Sequence, residues 1–139
     1  FSSFTDEVTY LKGVLQDENF GLNRTCLVAR SQQTLDRYVK ELEKAGVKTH
    51  QIRRSTANRA ETLSVATMHR VKGLEFDRVL VVGLSKDQMP FSTALNMADD
   101  SIAKAAAEVR ERCLFYVALT RAKQQVIITA SGVLSPFIQ

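Results

Sequence analysis

The sequence predicts an α/β fold in which helices cover a parallel β-sheet. Short apolar runs of the kind that form buried strands alternate along the chain with amphipathic helical segments. This alternation favours parallel pairing with right-handed crossovers. A polar, glycine-containing loop lies between the strand patterns at residues 62–67 and 77–84, and a last apolar run occupies residues 126–129. The 139 residues fit one domain with a sizeable core.

The first half of the chain contains two predicted helices and two predicted strands. Residues 5–16 place apolar side chains at helical spacing, with carboxylates in the first turn that complement the helix dipole. The continuous apolar run at residues 25–29 predicts a strand buried on both faces. Ser31 is a good N-cap for the second helix, and Gly46 can supply its left-handed C-terminal cap. Residues 49–52 are the second strand candidate.

The second half is predicted to contain one long helix. Residues 53–59 are polar and predict a solvent-facing connection, and residues 85–97 predict a loop. Asp99 or Asp100 then caps a helix that runs to about Leu119. Its apolar residues recur at helical spacing and predict one stripe that packs into the core: Ile102, Ala106, Val109, Cys113, Tyr116 and Val117.

The composition, with 45% hydrophobic and 24% charged residues, is that of a soluble globular protein. The net charge of +4 fits either a solvated surface or contact with a polyanion. Cys26 and Cys113 lie among apolar residues, without a C-x-x-C pair, which predicts buried, reduced thiols and a cytoplasmic setting. No apolar stretch approaches the roughly 18 residues of a membrane span. Because the chain opens on Phe1, we interpret it as part of a longer polypeptide.

The loop at residues 67–76 concentrates polar chemistry between two predicted strands. It contains a hydroxyl, an imidazole, a lysine, a glycine and a carboxylate. Threonine and lysine commonly contact phosphates, glycine lets the backbone approach a ligand, and a carboxylate can bind ribose hydroxyls. Polar loops at strand ends are also ordinary structural features, so chemistry alone leaves a functional and a structural interpretation open.

Three segments resemble motifs of the UvrD/Rep-like superfamily 1 DNA helicases. The string T-x-H-x-x-K-G-L-E-F at residues 67–76 is similar to motif V, and E-R-x-L-x-Y-V-A-x-T-R-A at residues 111–122 is similar to motif VI. Residues 28–31 resemble motif IV. The resemblance implies the second RecA-like motor lobe, whose sheet is of the P-loop NTPase type. No G-x-x-x-x-G-K-S/T string occurs in the chain, so this lobe lacks its own phosphate loop.

The motif V resemblance assigns expected roles within the loop. Thr67 and His69 are expected to contact single-stranded DNA, and Glu75 is expected to bind the ribose of ATP. Lys72 and Gly73 shape the loop between them. We expect the lysine to join the DNA contacts and the glycine to approach the nucleotide.

The other two motifs imply two phosphate-contacting arginines. Arg121 is expected to be the arginine finger, and the structural alternative is a cation that complements the helix C-terminus. Arg30 is the second expected contact to the terminal phosphate. Ala29 replaces a tyrosine that stacks on adenine in some relatives, so base recognition is expected from another lobe. Glu111 and Arg112 are expected to orient their helix through polar contacts.

The function implied by the resemblance is ATP-driven translocation on single-stranded DNA. ATP and Mg²⁺ would be held mainly by an N-terminal RecA-like lobe of the same polypeptide, without which this chain is expected to be inactive. About thirty-five residues separate motifs IV and V, too few for the accessory subdomain found in many relatives. That insertion is expected to be absent near residues 53–61.

Two other classes of protein remain open. A non-catalytic helicase-like adaptor within a larger assembly would explain the nucleic-acid motifs, but it has no evident need for both Arg121 and Glu75. A small nucleotide-binding regulator with a doubly wound sheet would need its own phosphate-binding loop, and none is visible.

Overall fold

The computed structural model describes residues 1–52, 61–91 and 100–139, which contain three helices and five strands. The helices are α1 (Phe4–Gln16), α2 (Gln32–Lys44) and α3 (Ser101–Leu119). The strands are β1 (Thr25–Ala29), β2 (Thr49–Gln51), β3 (Leu63–Thr67), β4 (Phe76–Val81) and β5 (Ala122–Ile128). The predicted connection at residues 53–59, the loop residues 92–97 and Asp99 lie outside the described residues. No helix in the described ranges is long and apolar enough to cross a membrane.

The predicted parallel sheet is confirmed. Its strands follow the order β2-β3-β1-β4-β5, and every neighbouring pair is parallel. The central strand β1 is buried throughout, and its side chains alternate between the two faces. Cys26 and Val28 pack with Phe115 of α3, whereas Leu27 and Ala29 pack on the face covered by α1 and α2.

Local signals define the start and end of α2. The Ser31 hydroxyl accepts the Thr34 N–H at 3.2 Å, so it forms the predicted N-cap. Gly46 has φ +90°, and the N–H of the next residue donates to the Leu42 carbonyl at 3.1 Å. Because β1 runs directly into this cap, Arg30 lies at the carboxyl edge of the sheet.

The apolar stripe predicted to bury α3 faces solvent instead. Three of its residues are largely exposed: Ile102 at 81%, Val109 at 59% and Tyr116 at 66%. Cys113, predicted to be buried, is also exposed. The helix buries a different set: Ala107, Glu111, Phe115 and Ala118. Apolar periodicity gave the wrong face because an ion pair with Arg30 holds the Glu111 side of the helix inward.

Strand β5 begins at Ala122, although the apolar run predicted a start at residue 126. Ala122 pairs with Phe76 of β4, and Gln125 pairs with Arg78. Because β5 is an edge strand whose side chains are mostly exposed, polar residues can extend it without burial.

A buried carboxylate joins α1 to the sheet. Glu7 accepts a hydrogen bond from the Gly83 N–H at 3.2 Å and one from the Thr129 hydroxyl at 2.6 Å. These two residues follow β4 and β5, so the contact lies at the carboxyl edge. Gly83 has φ +71°, and a Cβ there would lie 3.1 Å from the Thr34 methyl group, which explains the glycine.

Candidate functional site

The predicted site residues fall at two edges of the parallel sheet. Arg30 follows β1 and the half-buried Thr67 ends β3, so both lie at the carboxyl edge. Glu75 precedes β4 and Arg121 precedes β5, which places both at the amino edge. Residues 68–75 therefore connect the two edges, and the motif V loop reaches both groups of predicted residues.

Arg30 is held by a buried, bidentate ion pair with Glu111 of α3. Its Nε donates to Oε2 at 2.9 Å and its Nη2 to Oε1 at 2.6 Å. The two side chains are only 10% and 5% exposed. Phe91 contacts both partners, because its N–H donates to Glu111 Oε2 at 2.9 Å and its ring centroid lies 4.8 Å from the Arg30 guanidinium carbon. The guanidinium is thus fixed by a carboxylate and by an aromatic face.

This cluster also determines the charge state of its neighbours. Partial burial and the charge of Arg30 lower the pKa of His69, although the Glu111 carboxylate opposes this shift. Burial would raise the pKa of Glu111, but hydrogen bonds from Arg30 and the Phe91 N–H, with the nearby positive charges, outweigh it and lower that pKa. The cluster therefore favours an ionised Glu111 and a neutral His69.

The loop after β3 presents polar side chains on a buried base. Met68 and Val71 pack into the core beneath α3. The residues that follow each of them, His69 and Lys72, are exposed. Gly73 has φ +81° with open space around its Cα, so glycine relieves backbone strain at this turn. The predicted DNA-contacting side chains at positions 69 and 72 are accessible to a ligand.

Arg121 is half-buried and held by longer contacts than Arg30. Its Nε donates to the Val117 carbonyl at 3.2 Å, Nη1 to the Leu74 carbonyl at 3.5 Å, and Nη2 to the Thr120 hydroxyl at 3.4 Å. The bond to the Val117 carbonyl is the contact expected of a cation at a helix C-terminus. Hydrogen bonds of this length are weak, so Arg121 can leave them for a stronger acceptor.

The Glu75 side chain faces solvent, next to the backbone contact between the starts of β4 and β5. The Phe76 N–H donates to the Arg121 carbonyl at 2.9 Å, which joins the starts of β4 and β5. The Glu75 side chain is 65% exposed and pairs with Lys123 Nζ at 3.3 Å. Surface pairs of this kind contribute little to stability, so a ligand can replace the lysine at small cost.

Helix α3 connects the two arginines. Arg30 contacts it at Glu111 and Arg121 contacts it at Val117. At the rise of an α-helix these two positions are about 9 Å apart along the axis. The two predicted phosphate contacts thus share one helix although their strands place them at opposite edges.

Part of this cluster was not predicted from the sequence. Phe91 carries no motif signal, and no sequence pattern indicates that Arg30 pairs with Glu111, which lies 81 positions away. The one available signal was the spacing of Glu111 with Ala107 and Phe115, which puts a carboxylate on the buried side of α3.

Comparisons with known proteins agree on one family. The family model of the UvrD-like helicase C-terminal domain matches residues 42–132. The probable DNA helicase II homolog of Mycoplasma genitalium is 37% identical over 73 residues, which are 52% of this chain and 10% of that protein. The putative ATP-dependent DNA helicase YjcD of Bacillus subtilis is 40% identical over 67 residues, which are 48% of this chain and 9% of that protein.

The ATP-dependent DNA helicase PcrA of Staphylococcus aureus is 36% identical over 67 residues, 48% of this chain and 8% of PcrA. The chain therefore matches a tenth or less of the length of these relatives. Among solved structures, the C-terminal domain of a possible DNA helicase from a Lactobacillus strain, WCFS1, has a TM-score of 0.72 at 21% identity. That match covers 99% of this chain and 74% of the other, and it supports the fold.

Acidification should destabilise the folded chain in two steps. The folded pKa of His69 lies below its ordinary value of 6.5, so the unfolded state binds more protons as the pH falls below that value, and stability decreases. The folded pKa of Glu111 also lies below its ordinary value of 4.5, so the stability that Glu111 contributes is fully present above pH 4.5 and is lost as the pH falls further. Urea unfolding across this pH range should show a declining free energy of unfolding.

Matched substitutions separate the two steps. His69→Gln should remove most of the decline between about pH 7.5 and 5.5, whereas His50→Gln should retain it because His69 is still present. Glu111→Gln should weaken the decline below about pH 4.5. An unchanged profile in His69→Gln would contradict the assignment of the first step.

Proposed function

Because the chain belongs to the UvrD-like helicase C-terminal domain family, we propose that it forms the second motor lobe of an ATP-dependent DNA helicase or translocase. The observation that carries the proposal is the course of the motif V loop. At its start the Met68 N–H donates to the carbonyl of Ala29, the residue before Arg30, and at its end, next to Glu75, the Leu74 carbonyl accepts from Arg121. Its exposed middle carries His69 and Lys72.

ATP would bind between this lobe and an N-terminal RecA-like lobe of the same polypeptide. Arg121 would leave its weak contacts and stabilise the charge on the transferring phosphoryl group. Glu75 would exchange Lys123 for the ribose hydroxyls, and Gly73 would shape the backbone at that position. Arg30 would supply a second positive charge to the terminal phosphate.

Single-stranded DNA would contact the carboxyl-edge half of the loop. Thr67 and the neutral His69 offer hydrogen-bonding groups to the strand, and Lys72 offers a charge to its phosphates. The far end of the same loop supplies the Leu74 carbonyl to Arg121. Loss of the terminal phosphate would release Arg121 and shift this loop, which couples hydrolysis to stepwise movement on DNA.

Magnesium is assigned to the other lobe. Phosphoryl transfer in P-loop NTPases uses Mg²⁺ bound near the phosphate loop. Within the described ranges no three histidine, cysteine, aspartate or glutamate side chains come together in a way that could hold a metal ion. The family resemblance, not this absence, leads us to assign the magnesium ligands and the phosphate loop to the N-terminal lobe, and we expect no ATP hydrolysis by this chain alone.

Arg121→Ala in the full-length protein should lower ATP turnover by about 10³-fold or more, because a finger acts on charge that develops in the transition state. ATP affinity should change by only a few fold. Arg121→Lys should also lose most of the ATP turnover, since an ammonium group cannot reproduce the planar guanidinium. Steady-state ATP hydrolysis and equilibrium nucleotide binding measure the two effects.

The matched control is Arg37→Ala, which removes an arginine that packs on the Phe4 ring at the opposite face of the sheet. It should retain parental turnover. Turnover within about twofold of the parent in both Arg121 variants would contradict the finger role and favour a non-catalytic adaptor.

The two ends of the motif V loop should respond differently to substitution. Thr67→Ala combined with His69→Ala should weaken single-stranded DNA binding while leaving basal ATP hydrolysis nearly unchanged. Glu75→Ala should instead raise the ATP concentration needed for half-maximal hydrolysis. The loss in ATP binding free energy should be about 1–3 kcal/mol if a charged hydrogen bond is lost. Lys123→Ala, which removes only the partner of Glu75, should leave the ATP requirement close to that of the parent.

Fluorescence anisotropy with labelled DNA and ATP hydrolysis against ATP concentration provide the paired titrations. If the Thr67/His69 variant and the Glu75 variant change both titrations equally, the loop acts as one structural unit. That result would contradict the separation into a DNA-contacting end and an ATP-contacting end.

A further inference from the structure

The Arg30–Glu111 pair is the most buried of the ion pairs formed by the described residues. Its side chains are 10% and 5% exposed, whereas both partners of Glu108–Arg112 on the same helix are about half exposed. Two buried charges are often no more stabilising than apolar side chains of the same volume, because both must leave water. Stability alone is therefore a weak reason for the pair to exist.

The geometry of the pair fixes the direction of the guanidinium. Glu111 accepts hydrogen bonds from Nε and Nη2, so the N–H groups on Nη1 are not engaged by this carboxylate. The Phe91 ring limits movement out of the guanidinium plane, and the Phe91 N–H in turn holds Glu111 Oε2 at 2.9 Å. Arg30 is therefore held along one side of its guanidinium in a set orientation.

We propose that Glu111, supported by Phe91, is the positioning residue that aims Arg30 at the terminal phosphate of ATP. The inference rests on the proposed function of this lobe and adds residues for which that function gave no role in turnover. A group aimed in advance acts on the transition state without reorganisation, and a misplacement of about 1 Å can cost about 100-fold in rate. Arg121, with its long contacts, is aimed by the nucleotide itself, whereas Arg30 is aimed by the protein.

A double-mutant cycle in the full-length helicase tests this directly. Arg30→Ala, Glu111→Gln and the combined variant are compared in DNA-stimulated ATP hydrolysis. Glu111→Gln should lower kcat by about 10- to 100-fold with KM for ATP within about threefold of the parent. Because Glu111 acts through Arg30, the combined variant should be within about twofold of Arg30→Ala alone.

If the fold losses of kcat in the two single variants multiply in the combined variant, Glu111 acts independently of Arg30 and the proposal is overturned. Glu108→Gln, the same substitution at an exposed pair on the same helix, should retain parental kcat and KM. If Glu111→Gln does not fold, Phe91→Leu replaces it in the same cycle. That variant keeps the ion pair but removes the ring, and its loss of kcat should likewise vanish when Arg30 is already alanine.

The outcomes separate this inference from the function on which it rests. If Arg121→Ala abolishes turnover while Glu111→Gln keeps it within about twofold, only the positioning role is wrong. If Arg30→Ala keeps it as well, the proposed phosphate contact of Arg30 is also wrong. If turnover survives in Arg121→Ala, Arg30→Ala and Glu111→Gln alike, the proposed motor role of the lobe fails as well.

Discussion

The buried ion pair between Arg30 and Glu111 determines which side of α3 faces the sheet. Each charge has left water and requires the other, so removal of one partner would leave an uncompensated buried charge. The helix cannot turn its apolar stripe inward without breaking the pair. The orientation of α3 in turn decides where its C-terminal end delivers Arg121, beside the Leu74 carbonyl at the end of the motif V loop. This non-local contact, together with the pairing of β4 and β5, therefore sets the relation between both arginines.

Features that depend on neighbouring residues were predictable from the sequence. The strand β1 matches its apolar run, and α2 begins at the Ser31 cap and ends at the left-handed Gly46. The parallel sheet followed from the alternation of strands and helices. The buried face of α3 was not predictable from apolar periodicity, because the decisive contact joins residues 81 positions apart. The contacts of Glu7 were unpredictable for the same reason, since its partners Gly83 and Thr129 follow strands that are distant in the sequence.

The candidate site was predictable as a set of residues but not as an arrangement. The motif strings identified Arg121 as the expected finger after a helix and Arg30 as a second phosphate contact after a strand, but they did not indicate how tightly each side chain is held. In the fold, Arg30 is buried and held at 2.6 and 2.9 Å, and Arg121 is half-buried with contacts of 3.2–3.5 Å. That difference in restraint separates a fixed cation from one that is free to turn toward a ligand. It arises from packing against α3 and Phe91, which no local pattern encodes.

The orientation of α3 is tested most directly by thiol labelling of the folded chain, which has two cysteines. Cys113 is exposed on α3, whereas Cys26 lies in the core, where burial raises the pKa of its thiol far above the ordinary value. The structure predicts that a thiol reagent in native buffer labels Cys113 rapidly and leaves Cys26 unlabelled until denaturant is added, as peptide mapping would show. Protection of Cys113 in the native chain would mean that the apolar stripe faces the core, and would contradict the ion pair as the contact that orients this helix.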